Sequence, residues 1–297
     1  MPRAFLDQTL RGLMLAAGLA LAAGSAAAQD AGARQGFMVN DRVSLRYALA
    51  GPVSGPPVVL LHEMGMTLEG WDDVAPDLAR DHRVLRYDLR GFGLSERIDG
   101  AVGIEDEVED LRDLLDASGL RGPVVLVGGA VGGAIALRFA ARWPERVRGV
   151  MALSPAVGVP PEARAATLAQ AARIERTGMR ALLGDMRDIY PDAIRHDAAR
   201  LDRFRALQLS ADPVSLAATL RMIATTDFAP IVAAVRCPVL VAGAALYPAR
   251  PLAQGEALAR HMAQGRFIAL ETGHFMAIQS PELLLPALRG FLAQVER

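Results

Sequence analysis

Two rhythms of apolar and polar positions run through the chain. Short unbroken apolar runs at 58–61, 124–127, 150–153 and 237–242, each bounded by glycine, proline or charge, have the length of strands buried on both faces. Residues 43–49 alternate as an earlier strand, 84–87 form another short apolar segment, and 266–270 give a last one. Between them the period changes. Val108, Leu111, Leu114 and Leu115 recur at helical spacing and predict a helix over 104–115. Residues 132–142, rich in alanine with Ile135, Leu137 and Phe139, predict a second helix stopped by Trp143-Pro144-Glu145, and a final helix runs from Pro281 to about Val295. Alternating strand and helix predict an α/β fold, a mostly parallel central sheet with helices on both faces. Residues 159–235 interrupt the alternation with amphipathic helical stretches and no convincing strand. They predict a helical cap at the C-terminal edge of the sheet, where open α/β folds bind ligands.

The most informative segment follows the third buried run. Val124–Val127 ends in Gly128-Gly129-Ala130-Val131-Gly132-Gly133 and a helix follows at once. Strand, tight glycine turn and helix are the parts of a nucleophile elbow, whose pattern G-x-S-x-G lifts a serine oxygen above the sheet. The glycines are present, and a methyl group stands where a hydroxyl is required. Ala130 can neither attack a carbonyl nor form an acyl-enzyme, so ordinary serine hydrolysis is the first function the sequence argues against.

Composition narrows the classes. A chain of 297 residues with 52% hydrophobic content buries a large core, and a net charge of -1 gives no electrostatic basis for nucleic-acid binding. All 32 basic residues are arginine and they are scattered along the chain. Cys237 is the single cysteine, so neither an intrachain disulfide nor a cysteine-rich metal site is available; no metal and no cofactor are expected. Arg3 and Arg11 precede an apolar stretch over 13–23, then Gly24-Ser25-Ala26-Ala27-Ala28. Residues 1–28 therefore read as a secretory signal peptide and the protein as exported, to the periplasm; a retained N-terminal anchor is the competing reading. No later segment reaches ~18 uninterrupted apolar residues, and no membrane span is expected. Oligomeric state is not encoded in these patterns.

The elbow, the loop His62-Glu63-Met64-Gly65 followed by Trp71, the segment Asp88-x-Arg90-Gly91-x-Gly93-x-Ser95 and the segment Gly273-His274-Phe275 before Pro281 together resemble the α/β-hydrolase superfamily over residues 36–297. In loop and cap style the chain looks like its enol-lactone hydrolase group. The resemblance implies a core formed by 36–158 and 236–297 with the cap at 159–235. It implies His274 as the base, the amides of Met64 and Val131 as the oxyanion hole, and Asp88, Arg90 and Ser95 as a scaffold turn. It also implies an acid a few residues after the glycine of the seventh strand, where this chain reads Gly243-Ala244-Ala245-Leu246-Tyr247-Pro248 without a carboxylate. The other customary acid position offers Ser154-Pro155. Asp227, the last aspartate of the chain, is the remaining candidate to complete a triad if Ala130 is a substitution for serine.

Glu63 is a carboxylate where a small or uncharged side chain is common, at the expected pocket rim. With His274 it can form an acid/base pair that activates water or moves a proton without a covalent intermediate. Ser154 is a weaker substitute nucleophile, past a different strand. Three readings follow: a binder of a small apolar ligand whose carbonyl or carboxylate end is held by Met64, Val131 and His274; a divergent ester or lactone hydrolase, lyase or isomerase using His274 with or without Glu63; and an interaction scaffold whose pocket is filled by side chains.

Overall fold

The computed structural model describes residues 34–182 and 189–297, so the expected signal segment 1–28 lies outside the described residues. Eight strands form one sheet: β1 (Arg34–Val39), β2 (Ser44–Ala50), β3 (Pro57–Leu61), β4 (Arg83–Tyr87), β5 (Val124–Gly129), β6 (Val147–Leu153), β7 (Val239–Ala244) and β8 (Gly265–Leu270), in the order β1-β2-β4-β3-β5-β6-β7-β8. β1 and β2 run antiparallel at one edge, and every pairing from β4–β3 to β7–β8 is parallel. β1 is an addition to the expected elements. Of its six residues only Met38 is buried, so it carries almost no apolar signal. An Asn40 side chain that accepts the Arg42 and Val43 N–H groups turns it into β2.

The continuous apolar runs are explained by burial on both faces. Along β3 and β5, Val59, Leu61, Val124 and Leu126 point into one core with α2 (Ile104–Ala117) and α3 (Val131–Arg142). The alternate residues Val58, Leu60, Val125 and Val127 point into a second core against α1 (Ala75–Leu78) and α10 (Pro281–Val295). Two expected boundaries shift. β5 continues two residues further, through Gly129, and β7 begins at Val239, leaving Cys237 half-buried ahead of it.

Between β6 and β7 the described residues form α4 (Pro161–Thr177), α5 (Ala198–Ser210), α6 (Pro213–Thr225) and α7 (Ala229–Ala234), with no strand among them. Asp197 and Asp212 cap α5 and α6 by accepting the Arg200 and Ser215 N–H groups. A third apolar cluster joins this insertion to the loops at the end of the sheet: Tyr190, Ile194 and Phe204 pack on Met66, Phe275 and Ile278. After β7 the chain forms α8 (Leu252–Arg260), and after β8 the short α9 (Met276–Gln279).

The β5–α3 junction depends on missing side chains. A Cβ on Gly132 would lie 2.5 Å from the Leu61 carbonyl oxygen and 2.8 Å from that of His62, both backbone atoms that cannot step aside. Gly132→Ala is accordingly expected to lower stability by about 1–3 kcal/mol, read as a lower denaturant midpoint; an unchanged midpoint would contradict this packing.

Candidate functional site

Ala130 sits between β5 and α3 with φ 44° and ψ −109°, a conformation that costs a non-glycine residue about 1–3 kcal/mol and persists only when its surroundings impose it. Backbone bonds supply the constraint. The Ala130 N–H donates to the Leu153 carbonyl at 2.9 Å, and the Ala130 carbonyl accepts from Ala156 at 2.9 Å and from Ala134 at 3.1 Å. The sharp turn of an elbow is thus intact around a methyl group. Val131 opens α3, so its N–H is one of the first-turn donors that the helix itself leaves free, at the positive end of the helix dipole.

The loop after β3 lies across this turn. His62 is held on both ring nitrogens: Nδ1–H donates to the Glu63 carbonyl at 2.8 Å, and Nε2 accepts from the Leu89 N–H at 2.9 Å. Those bonds require the neutral ring, and burial lowers its pKa to about 4. Glu63 departs from the expected rim position. It is 2% exposed and packed so closely on the elbow that a Cβ on Gly129 would come within 2.7 Å of its Cγ. Its Oε1 has no hydrogen-bond partner, and burial pushes its pKa up to about 7. Met64 is half-buried beside it, and Gly65 takes φ +77° where a Cβ would meet the Gln208 side chain of α5 at 2.8 Å. The Gln208 Nε2 is likewise buried without a partner.

His274 lies in the loop after β8. Its ring stacks on Tyr247 at 4.6 Å between centroids and meets Phe275 edge-on at 5.1 Å. Nδ1, the atom a triad acid would hold, has no partner. Burial, and then the positive charge of Arg250, lower the pKa of His274 to about 3. The expected acid/base pair is not formed: no hydrogen bond joins Glu63 to His274, and the charge acting on His274 is Arg250. Asp227 is no substitute. Its carboxylate accepts the Ala229 N–H at 3.1 Å at the start of α7. Ser154 follows β6 with φ 39°, its N–H donating to Ala242 and its carbonyl accepting from Arg250.

The other motif residues serve the scaffold. Asp88 accepts the Leu68 and Leu94 N–H groups, Arg90 makes a two-pronged ion pair with Asp110 at 2.8 and 2.7 Å, and the Ser95 hydroxyl donates to the Asp88 carbonyl. No cluster of His, Cys, Asp or Glu able to hold a metal ion occurs among the described residues, and no helix there is long and apolar enough to cross a membrane. Sequence reasoning did not single out Gln208 or Arg250. Arg250 lies two residues beyond 243–248, the segment in which a triad acid is expected. Nothing in the periodicity of α5 marks Gln208 as turning inward.

Unpaired Glu63 and Gln208 atoms over a preserved elbow leave buried polar groups ready for a polar partner. The acid has a direct signature. Since the folded-state pKa of Glu63 is raised from 4.5 to about 7, its contribution to stability is full below pH 4.5 and is lost as pH rises towards 7. Glu63→Gln removes that loss. Between pH 4.5 and pH 8 the variant is expected to gain about 3 kcal/mol on the parent in denaturant titrations. Glu107, raised to about 8 in both proteins, cancels in the difference. Equal differences at the two pH values would contradict a buried, unpaired Glu63.

Comparisons with known proteins agree with this architecture. A family model described as the alpha/beta hydrolase fold matches residues 56–202. The chain is 44% identical over 110 residues to 2-hydroxy-6-oxo-2,4-heptadienoate hydrolase of Pseudomonas putida, a match covering 36% of this chain and 39% of that protein. It is 23% identical over 255 residues to 3-oxoadipate enol-lactonase 1 of Acinetobacter baylyi, covering 85% of this chain and 94% of the relative. Among solved structures, a malate-bound thermophilic esterase from Thermogutta terrifontis matches with a TM-score of 0.79 at 28% identity, over 90% of this chain and 100% of the other. The sheet order, the elbow and these relatives together make the chain a member of the α/β-hydrolase superfamily, with enol-lactonases among its relatives.

Proposed function

We propose that the protein holds a small, largely apolar ligand by its carbonyl or carboxylate end and does not use serine hydrolysis. The observation that carries this reading is the state of the base position. His274 is buried with Nδ1 unpartnered, and its charged neighbour is Arg250 where a triad would have a carboxylate. A general base works best with a pKa near the operating pH, and at about 3 this ring is a weak one whose protonation the adjacent cation opposes. With alanine at the elbow, neither the nucleophile nor its activation is supplied. The Met64 and Val131 amides remain suited to a carbonyl or carboxylate oxygen, with His274 as a further hydrogen-bonding group. Residues 159–235 act as the cap over this site, and residues 1–28 direct export to the periplasm. The signal reading rests on Arg3 and Arg11, the apolar stretch and the small-residue site before Gln29.

A second reading has its own support. Glu63, with a pKa of about 7 beside the elbow, is poised to take and return a proton at neutral pH. In that reading the protein is a divergent hydrolase, lyase or isomerase, in keeping with hydrolases among its relatives.

Turnover of aryl esters and small lactones by the parent, Ala130→Ser, His274→Ala and Glu63→Gln separates these readings. Returning a nucleophile to an otherwise intact triad would recover on the order of 10⁶ in kcat. Here Ala130→Ser is expected to stay within about tenfold of the parent, and the parent to match buffer. A gain of about 10³ or more in Ala130→Ser would mean that a working base and acid exist after all. Parent turnover abolished by Glu63→Gln would replace the binder reading with the acid/base one.

A further inference from the structure

A cavity of about 1030 Å³ opens beside the elbow site at the ends of β6 and β7, between the insertion and α8. Ala130, Glu63 and His274 do not line it. The segment Leu153–Ala156 separates the two: Leu153 and Ala156 bond to the backbone of Ala130, while Ser154 and Pro155 line the cleft.

The cleft has two unlike ends. Arg250 stands at one. One guanidinium nitrogen, Nη1, donates to the Ser154 carbonyl at 2.7 Å and the Pro155 carbonyl at 2.5 Å, which fixes the group in place. Among the described residues Nε and Nη2 have no partner, and no carboxylate lies within ion-pair distance of the group. A half-buried guanidinium fixed by neutral carbonyls, with the three N–H donors of Nε and Nη2 unspent, is suited to receive an anion. The first turn of α8 adds to it. Leu252, Gln254 and Gly255 line the same cleft; the Gln254 N–H is spent on the Pro251 carbonyl, and the Leu252 N–H is left free at the positive end of the helix dipole. The other end is apolar. Apart from His261, which borders both spaces, it is formed by Val157, Phe228 and Leu258, which also line an adjoining hollow of about 290 Å³ that reaches Val232.

We infer that this cleft is a separate binding site for a monocarboxylate with an apolar body, its carboxylate paired with Arg250 and its alkyl or aryl part against Val157, Phe228 and Leu258. The pairing uses the guanidinium edge formed by Nε and Nη2, which matches two carboxylate oxygens. Asp227 also borders the cavity, but its carboxylate is engaged at the start of α7, so one anionic group is accommodated and a second near that wall is repelled. Ala130, Glu63 and His274 take no part in the site, although the charge of Arg250 also acts on His274.

Calorimetric titration of the purified protein with octanoate, and with 1-octanol as the neutral counterpart, tests the assignment. Octanoate is expected to bind at least tenfold more tightly than the alcohol, and Arg250→Gln to weaken octanoate at least tenfold while leaving the alcohol unaffected. Because Arg250 also ties down two carbonyls, Leu258→Asp provides a variant that leaves those bonds alone. It places a carboxylate in the apolar wall and is expected to weaken octanoate as well. Because the elbow is also proposed to hold a carboxylate, only octanoate binding that both substitutions weaken belongs to the cleft; equal affinity for acid and alcohol, no octanoate-binding step weakened by the two substitutions, or no octanoate binding at millimolar concentration would each overturn the proposal.

Discussion

The site rests on how closely three pieces of backbone approach one another at the end of β5. The Ala130 N–H is bound to Leu153 and its carbonyl to Ala156, so the left-handed turn is locked to the end of β6. Gly132 rides on the carbonyls of Leu61 and His62, which locks it to the end of β3. These contacts are made by main chain, and they hold whether the elbow carries serine or alanine. The geometry around the turn, including the free amides at the start of α3, therefore does not depend on which side chain the turn carries.

Beyond that junction the charges differ from those a serine hydrolase requires. A working triad arranges a carboxylate behind the histidine, so that the ring gains a proton as the serine loses one. Here the loop after β7 delivers Tyr247 to the face of His274 and Arg250 to its vicinity, and the buried carboxyl packed on the elbow is that of Glu63, on the opposite loop. The neutral form of the histidine is favoured by both burial and the neighbouring cation. A proton on the glutamate is favoured by burial alone. Both shifts keep net charge off these two buried side chains.

Much of the fold was legible because both faces of the sheet are covered, so strands appear as unbroken apolar runs and their helices at a clear period. β1 was not, since an edge strand with one buried residue has no pattern to show. The absence of a hydroxyl at Ala130 and of a carboxylate in 243–248 was equally plain, because both are statements about residue type at a known place in the chain. Direction was the hidden variable. Glu63 reads the same whether it faces solvent or packs on Gly129, and only the tertiary approach of the two loops decides it. Gln208 and Arg250 were missed for the same reason, each being an ordinary polar residue until the turn of a helix or loop points it inward.

The central claim is that no side chain at this elbow acts as an activated nucleophile. Intact-mass and peptide mass spectrometry after exposure to a fluorophosphonate, which forms a stable covalent adduct with activated serines, tests it most directly. The account predicts no adduct on the native protein under conditions that fully label a serine hydrolase. Stoichiometric labelling of the native fold at a residue beside the elbow, Ser154 above all, would contradict it.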